Sequence, residues 1–339
     1  MSRKARVESH AAAPSRGDAT LGAIGAGQIT GQGLPGVVVR AYGKYFDVRL
    51  RDEPRTLLST LKGTLKRERR RTDLVAVGDR VSVIDVGEGE GQIEAVVARD
   101  RVLARLARHT RDVEQVILAN PDQVLFLFAI KEPEPHRRML DRFLVLAESQ
   151  GLPALIGINK IDLVEGSDGE RSDDIDHFLS DYRRIYPVFT FSVATGRGID
   201  EVRKALDGKI TAVAGPSGVG KSSLLNVLDP GGERGVGAIS DATGKGRHTT
   251  TATQLYHIAP DTWVADTPGI RALAMHAVES ESLDNYFPEF RAFLGECFYP
   301  DCTHVHEPGC AVRAAVKEGA VPRTRYESYV SLRAGDSED

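Results

Sequence analysis

Cysteine is almost absent from this 339-residue chain. There are three, Cys297, Cys302 and Cys310, and all fall within 14 residues. An odd, clustered set excludes a disulfide framework and favours a metal site. Long hydrophobic runs are also missing: no apolar stretch approaches the roughly 20 residues that span a bilayer, so no membrane partner is expected. The N-terminus has no apolar core of a secretory signal, and Glu8 and Asp18 count against an organellar transit peptide. Residues 1–34 show no sustained periodicity and read as a disordered basic tail on a cytoplasmic protein. The net charge of -4 excludes a uniformly basic nucleic-acid binder, but it hides an asymmetry. Residues 1–110 hold 20 Lys/Arg against 13 Asp/Glu, a surplus of +7, so the remainder carries -11. Any nucleic-acid contact is therefore expected to begin at the N-terminal end.

What is present is enough for several domains, since a single core stops growing well short of this length. From residue 35 to 110 the chain reads as short β runs, "GVVVRAYGKYFDVRL", "DRVSVIDV" and "GQIEAVVA", separated by Gly and Asp turns. Such spacing predicts a small β-barrel of the OB-fold type. The insert "LKGTLKRERRRTD" crowds Lys62, Lys66, Arg67, Arg69, Arg70 and Arg71 onto one connection. A solvated charged loop and an RNA-contacting loop are balanced readings of it.

Residues 111–275 change period. "DQVLFLFAI" is a continuous apolar run of the parallel-strand kind. The helical "PHRRMLDRFLVLAESQG" follows, with Leu140, Phe143, Leu144 and Leu146 on one side and Gly151 as a stop. Alternation continues to "KITAVAG", predicting an α/β domain with a mostly parallel sheet. Residues 276–339 read as a small helical domain whose thin core favours a structural metal.

"GPSGVGKS" then fits the phosphate-loop pattern between a strand and a helix. Gly215, Gly218 and Gly220, with Pro216, Ser217 and Val219, would curl backbone N–H groups around phosphates, at the positive end of the next helix. Lys221 would reach the β- and γ-phosphates, Ser222 would ligate Mg²⁺, and Ser223 follows on the helix. In "DTPG", Asp266 would approach Mg²⁺ through water and the Gly269 N–H would sense the γ-phosphate. The threonine-rich "GRHTTT" would lend Mg²⁺ a hydroxyl, placed on Thr250 with Thr249 and Thr251 as the alternatives.

"NKID" supplies Asn159, Lys160, Ile161 and Asp162. A carboxylate at Asp162 accepts from guanine N1–H and its exocyclic amine, which adenine cannot offer. Ser192, Val193 and Ala194 would close over the base. This base-reading segment precedes the phosphate loop, the reverse of the usual GTPase order. Strand ends, not chain order, define such a site, so the order implies a circular permutation.

Taken together, "NKIDL", "GPSGVGKSSLLN", "GRHTTT", "DTPG" and the tail "YFPEF…C…C…H…C" resemble the circularly permuted, small-ribosomal-subunit-dependent GTPases, the RsgA (YjeQ, YloQ) family. The resemblance covers about residues 35 to 330. It implies an OB-fold, a permuted GTPase domain and a zinc domain, acting on the small subunit and its rRNA during late maturation, with GTP/GDP, Mg²⁺ and one structural Zn²⁺; the sequence does not reveal the oligomeric state, for which a monomer is the expectation. Residue chemistry leaves His304 or His306 as fourth zinc ligand; the family spacing C-x4-C-x-H-x5-C selects His304. After Asp-x-x-Gly a Gln commonly orients water, but here Ile270 stands, so slow intrinsic hydrolysis is expected. His248 is the candidate for the missing role, with an RNA-contacting or structural switch histidine as the competing reading.

Overall fold

The computed structural model describes residues 33–63, 74–106, 114–164, 173–230, 253–267 and 280–335. Five strands open the chain: β1 (Leu34–Tyr42), β2 (Tyr45–Leu50), β3 (Thr56–Leu61), β4 (Arg80–Gly87) and β5 (Glu90–Val96). Period-2 alternation drives Phe46, Val48 and Leu50 inward from β2, where they meet Val38, Leu57, Val81, Val83 and Ile93. Antiparallel pairs β1–β2, β2–β3 and β4–β5 are joined by a parallel β3–β5 pair, and β4 returns to β1. The ring is a closed five-stranded barrel, the expected OB-type architecture, and closure leaves no edge to aggregate. A bulge between Val38 and Arg40 bends β1, whose Arg40 then pairs with Gln254 of the central sheet. Lys62 lies 3.9 Å from Glu94; Lys66, Arg67, Arg69, Arg70 and Arg71 fall outside the described residues, as does the tail through residue 32.

A ribbon of β6 (Val102–Leu106) and β7 (Glu114–Ala119) leads into the central layer. There the chain forms β8 (Gln123–Ala129), α1 (Arg137–Ser149), β9 (Ala154–Asn159), α2 (Asp173–Arg183), β10 (Val188–Thr190), α3 (Ile199–Leu206), β11 (Ile210–Ala214), α4 (Lys221–Leu228), β12 (Gln254–Ala259) and β13 (Thr262–Asp266). The spatial order is β10-β9-β8-β11-β13-β12, all parallel but β12. Every residue of β8 is buried: Val124, Phe126 and Phe128 join the core on one face, Leu125, Leu127 and Ala129 that on the other. That two-sided burial is why the strand reads as an unbroken apolar run. The chain moves outward from β8 to β10, returns to the centre at β11, and then crosses to the other side, reaching β12 before it comes back to β13 beside β11. Ligands of open α/β sheets bind at such a reversal, here between the ends of β8 and β11.

The C-terminal unit consists of 3₁₀ turns Ser280–Tyr286 and Pro288–Phe290, then α5 (Ala311–Lys317) and α6 (Arg323–Arg333). Phe287, Phe290 and Tyr329 form its aromatic centre, with ring centroids 5.0 to 5.4 Å apart. It sits on α1. One side of α1 packs Leu140, Phe143, Leu144 and Leu146 on the sheet, while Val145 on another side enters the C-terminal core. The double cover buries Asp141 as well. Its carboxylate pairs with the fully buried Arg325 guanidinium and accepts from Ser328 and, at 3.0 Å, from Tyr182. Arg325 also reaches Glu289 at 2.7 Å. Burial opposes the Arg325 charge, but Asp141 and Glu289 more than offset it and hold its pKa well above the ordinary value.

Candidate nucleotide site and metal cluster

The phosphate loop leaves β11 at Gly215, whose φ is 158° and where a Cβ would lie 2.0 Å from the Leu127 carbonyl oxygen. Only a residue without a side chain lets β11 and β8 approach so closely. At the other end Gly220 caps α4 with φ 97°, and a Cβ there would strike Asn159 Nδ2 at 2.4 Å. Between them Val219 is fully buried and anchors the loop, while Ser217 and Gly218 are exposed. Lys221 Nζ donates to the carbonyls of Gly215 (3.0 Å) and Pro216 (2.7 Å), which closes the curl around the place where phosphates would lie. Ser222 and Ser223 stand exposed at the start of α4.

The base-reading segment follows β9. Lys160 takes a left-handed φ of 64° and turns the chain into a single 3₁₀ turn over Ile161–Leu163. Asn159, buried, donates from Nδ2 to the Val219 carbonyl at 2.9 Å and accepts from the Val193 N–H at 3.1 Å. One side chain thus fastens the phosphate loop, the base-reading turn and the Ser192–Ala194 turn together. Ser192 is buried and its Oγ accepts from the Thr195 N–H at 3.2 Å. Asp162 Oδ1 is buried with no hydrogen-bond partner among the described residues. An orphaned carboxylate oxygen is costly unless a ligand donor completes it, so the residues present fit a guanine edge.

Asp266 ends β13 beside Val213 of β11. Burial pushes its pKa up, with Lys221 partly opposing the shift. The neighbouring Thr267 hydroxyl donates to the Val213 carbonyl at 2.8 Å and fixes the turn. A divalent cation would remove the penalty of burying that carboxylate. Asn159 to Asp162, Ser192 to Ala194, Gly215 to Ser223 and Asp266 therefore converge on the carboxyl ends of adjacent strands. His248, Thr249, Thr250, Thr251, Gly269 and Ile270 lie outside the described residues.

One wall of this site escapes motif reading. The connection after β8 places Pro133 3.6 Å from a Cβ built on Gly218, and Lys160 Nζ donates to the Glu132 carbonyl. A proline-flanked segment at a strand end next to the phosphate loop is the only signal the sequence offers for it.

In the C-terminal unit, one ligand atom each from Cys297, Cys302, His304 and Cys310 lies within 4.8 Å of all the others. His304 Nδ1 is 3.5 Å from both Cys297 Sγ and Cys310 Sγ, while His306 is exposed and apart. Burial raises the Cys302 thiol to about 12 and raises Cys310 too. A divalent ion reverses that preference, and three thiolates with one imidazole suit a closed tetrahedral site. Backbone N–H groups of Ala311 and Arg313 donate to Cys297 and Cys310 sulfurs at 3.3 and 3.4 Å. Asp284 Oδ2, 3.4 Å from His304 Nε2, orients the ring, a role that no sequence spacing reveals. Glu307 gathers the N–H groups of Thr303, Val305 and His306 at 2.8 to 3.1 Å and stiffens the ligand loop.

A central parallel sheet with a phosphate loop at its reversal, and a guanine-type acceptor at the end of β9 on the far side of β8, defines a P-loop GTPase domain in permuted order. The sequence profile of the RsgA GTPase family matches residues 96–276. A small ribosomal subunit biogenesis GTPase RsgA from Gemmatimonas aurantiaca is 43% identical over 300 residues, covering 88% of this chain and 96% of that protein. Its counterpart in Chlorobaculum tepidum is 39% identical over 308 residues, covering 88% and 97%. Among solved structures, YjeQ from Thermotoga maritima superposes with a TM-score of 0.72 at 35% identity, covering 89% of this chain and 97% of that one. YloQ, described as a circularly permuted GTPase, gives 0.70 at 29% identity, covering 91% and 96%. The chain belongs to the RsgA GTPase family, and it is an enzyme of the GTPase class.

Proposed function

We propose that this chain binds the small ribosomal subunit in the cytoplasm and hydrolyses GTP, faster on the subunit than off it, to assist late maturation. The names of its relatives support the biogenesis role. The observation that carries the nucleotide half is the buried Asp162 Oδ1, without a hydrogen-bond partner among the described residues, on a turn that Asn159 ties to the phosphate loop. In this reading residues 35–110 contact rRNA, 111–275 form the GTPase unit and 276–339 the zinc unit.

Asp162 reads guanine N1–H and the 2-amine, Lys160 and Ile161 line the base, and Ser192 to Ala194 close over it. Gly215 to Gly220 surround the phosphates with N–H donors, and Lys221 draws negative charge from the β- and γ-phosphates. Bound Mg²⁺ would neutralise charge that develops on the phosphates. Ser222, Thr250 and Asp266 hold it, directly or through water, and Gly269 senses the γ-phosphate. With Ile270 in place of a water-orienting Gln, His248 positions the attacking water. Cys297, Cys302, His304 and Cys310 hold one structural zinc ion.

The test is steady-state GTP turnover with and without purified small subunits. Stimulation is expected, and His248→Ala should remove most of it. The rival reading is an RNA-binding assembly scaffold with a merely structural guanine nucleotide; it wins if subunits give no multiple-turnover hydrolysis.

A further inference from the structure

A cleft of about 500 Å³ runs between the barrel and the β12–β13 hairpin, away from the phosphate loop. That size suits a small organic ligand. On the hairpin side the His257 and Trp263 rings meet at 4.7 Å with an interplanar angle of 50°. His257 is exposed while Trp263 is almost covered, so the imidazole presents the open aromatic face. On the barrel side Arg49 and Arg80 line the cleft and are half-buried. Arg49 has no carboxylate partner among the described residues, and Arg80, paired to Asp100 at 3.0 Å through Nη1, keeps a buried Nε–H without an acceptor. Asp52, Glu53 and Asp261 also line the cleft but stand exposed, where solvent screens them, and Glu53 is paired to Arg55 at 2.9 Å.

An aromatic face opposite two guanidinium groups, one with an unspent donor, matches a planar base joined to a phosphate. We propose that this cleft is a second nucleotide-recognition site, taking a nucleoside phosphate with its base beside His257 and Trp263 and its phosphate on Arg49 and Arg80. The ligand is either an unpaired residue of single-stranded RNA or a free mononucleotide. The site does not depend on the small-subunit reading, and it lies on the same strand as the nucleotide pocket: β13 runs from Trp263 to Asp266 in three residues.

Trp263 is the only tryptophan of the chain, so its emission reports the cleft alone. The full-length protein, saturated with GDP to fill the guanine pocket, is titrated with uridine 5′-monophosphate and with hexauridylate. Saturable quenching by either supports the site. At least about tenfold tighter binding of the hexamer identifies RNA as the source, and equal affinity a free mononucleotide. Arg49→Ala should weaken binding about tenfold, the scale of a lost charge-assisted hydrogen bond, without altering GDP affinity. Trp263→Phe should lose the signal yet retain hexamer binding by anisotropy of a labelled strand. Unchanged Trp263 emission at millimolar uridine monophosphate and saturating hexamer, or identical curves for Arg49→Ala, would overturn the proposal.

Discussion

All four ligands of the C-terminal cluster come from 14 consecutive residues, whereas the nucleotide pocket gathers Asn159, Asp162, Val193, Gly215 to Lys221 and Asp266 from strand ends across the central domain. Within the cluster two sulfurs accept backbone N–H groups and the imidazole faces its own carboxylate, yet burial still disfavours the Cys302 and Cys310 thiolates. The pocket keeps an acceptor unmet at Asp162 among the described residues and an acid in an unfavourable burial at Asp266. The local cluster lacks only a cation to complete it, whereas the pocket spread over strand ends lacks both a hydrogen-bond donor and a cation.

Removing the proposed zinc ion should produce the largest effect. A structural zinc contributes on the order of 10 kcal/mol to folding at neutral pH, so a strong chelator should melt α5 and α6 while the parallel sheet persists. Hydrogen exchange would read this, with protection lost in 297–333 and kept in β8 and β11. Next comes the joint between the two regions. Arg325→Ala leaves Asp141 and Glu289 charged and buried, and should cost about 3–5 kcal/mol in urea unfolding. Loss of less than about 1 kcal/mol would mean that the units dock by apolar contact alone. Asn159→Ala removes two hydrogen bonds that couple three loops, and should cost about 1–3 kcal/mol, with a parallel loss of GDP affinity. The smallest effect is a titration. Burial, and then Arg49, lower the His257 pKa below the ordinary 6.5. The neutral ring is therefore favoured by folding, a contribution present above 6.5 and lost as pH falls through the lowered value. Trp263 emission should change with a midpoint under 6.5, and His257→Ala should abolish the change.

Much of both candidate sites was legible because it is local. The phosphate loop, "NKID" and the Cys/His spacing are each short contiguous stretches that the fold keeps together, and β8 announces two-sided burial by its unbroken apolar run. The five barrel strands were legible from alternation, although the β4–β1 closure was not. What stayed hidden is non-local or polar. Asp141 sits in α1 where an amphipathic reading assigns a solvent face, and its partner Arg325 is 184 residues away. Asp284 orients His304 from a different turn, and Glu132 meets Lys160 across the pocket. Such pairs are fixed by packing, which no spacing encodes.

The most direct test of the account is guanine selection by Asp162. Wild-type protein should prefer GTP over xanthosine triphosphate by at least about 100-fold, because xanthine offers a carbonyl where guanine offers an amine. Asp162→Asn should lose about as much GTP affinity and gain the xanthine nucleotide. An unchanged preference for GTP would show that the base is read elsewhere and that the permuted pocket described here is not the nucleotide site.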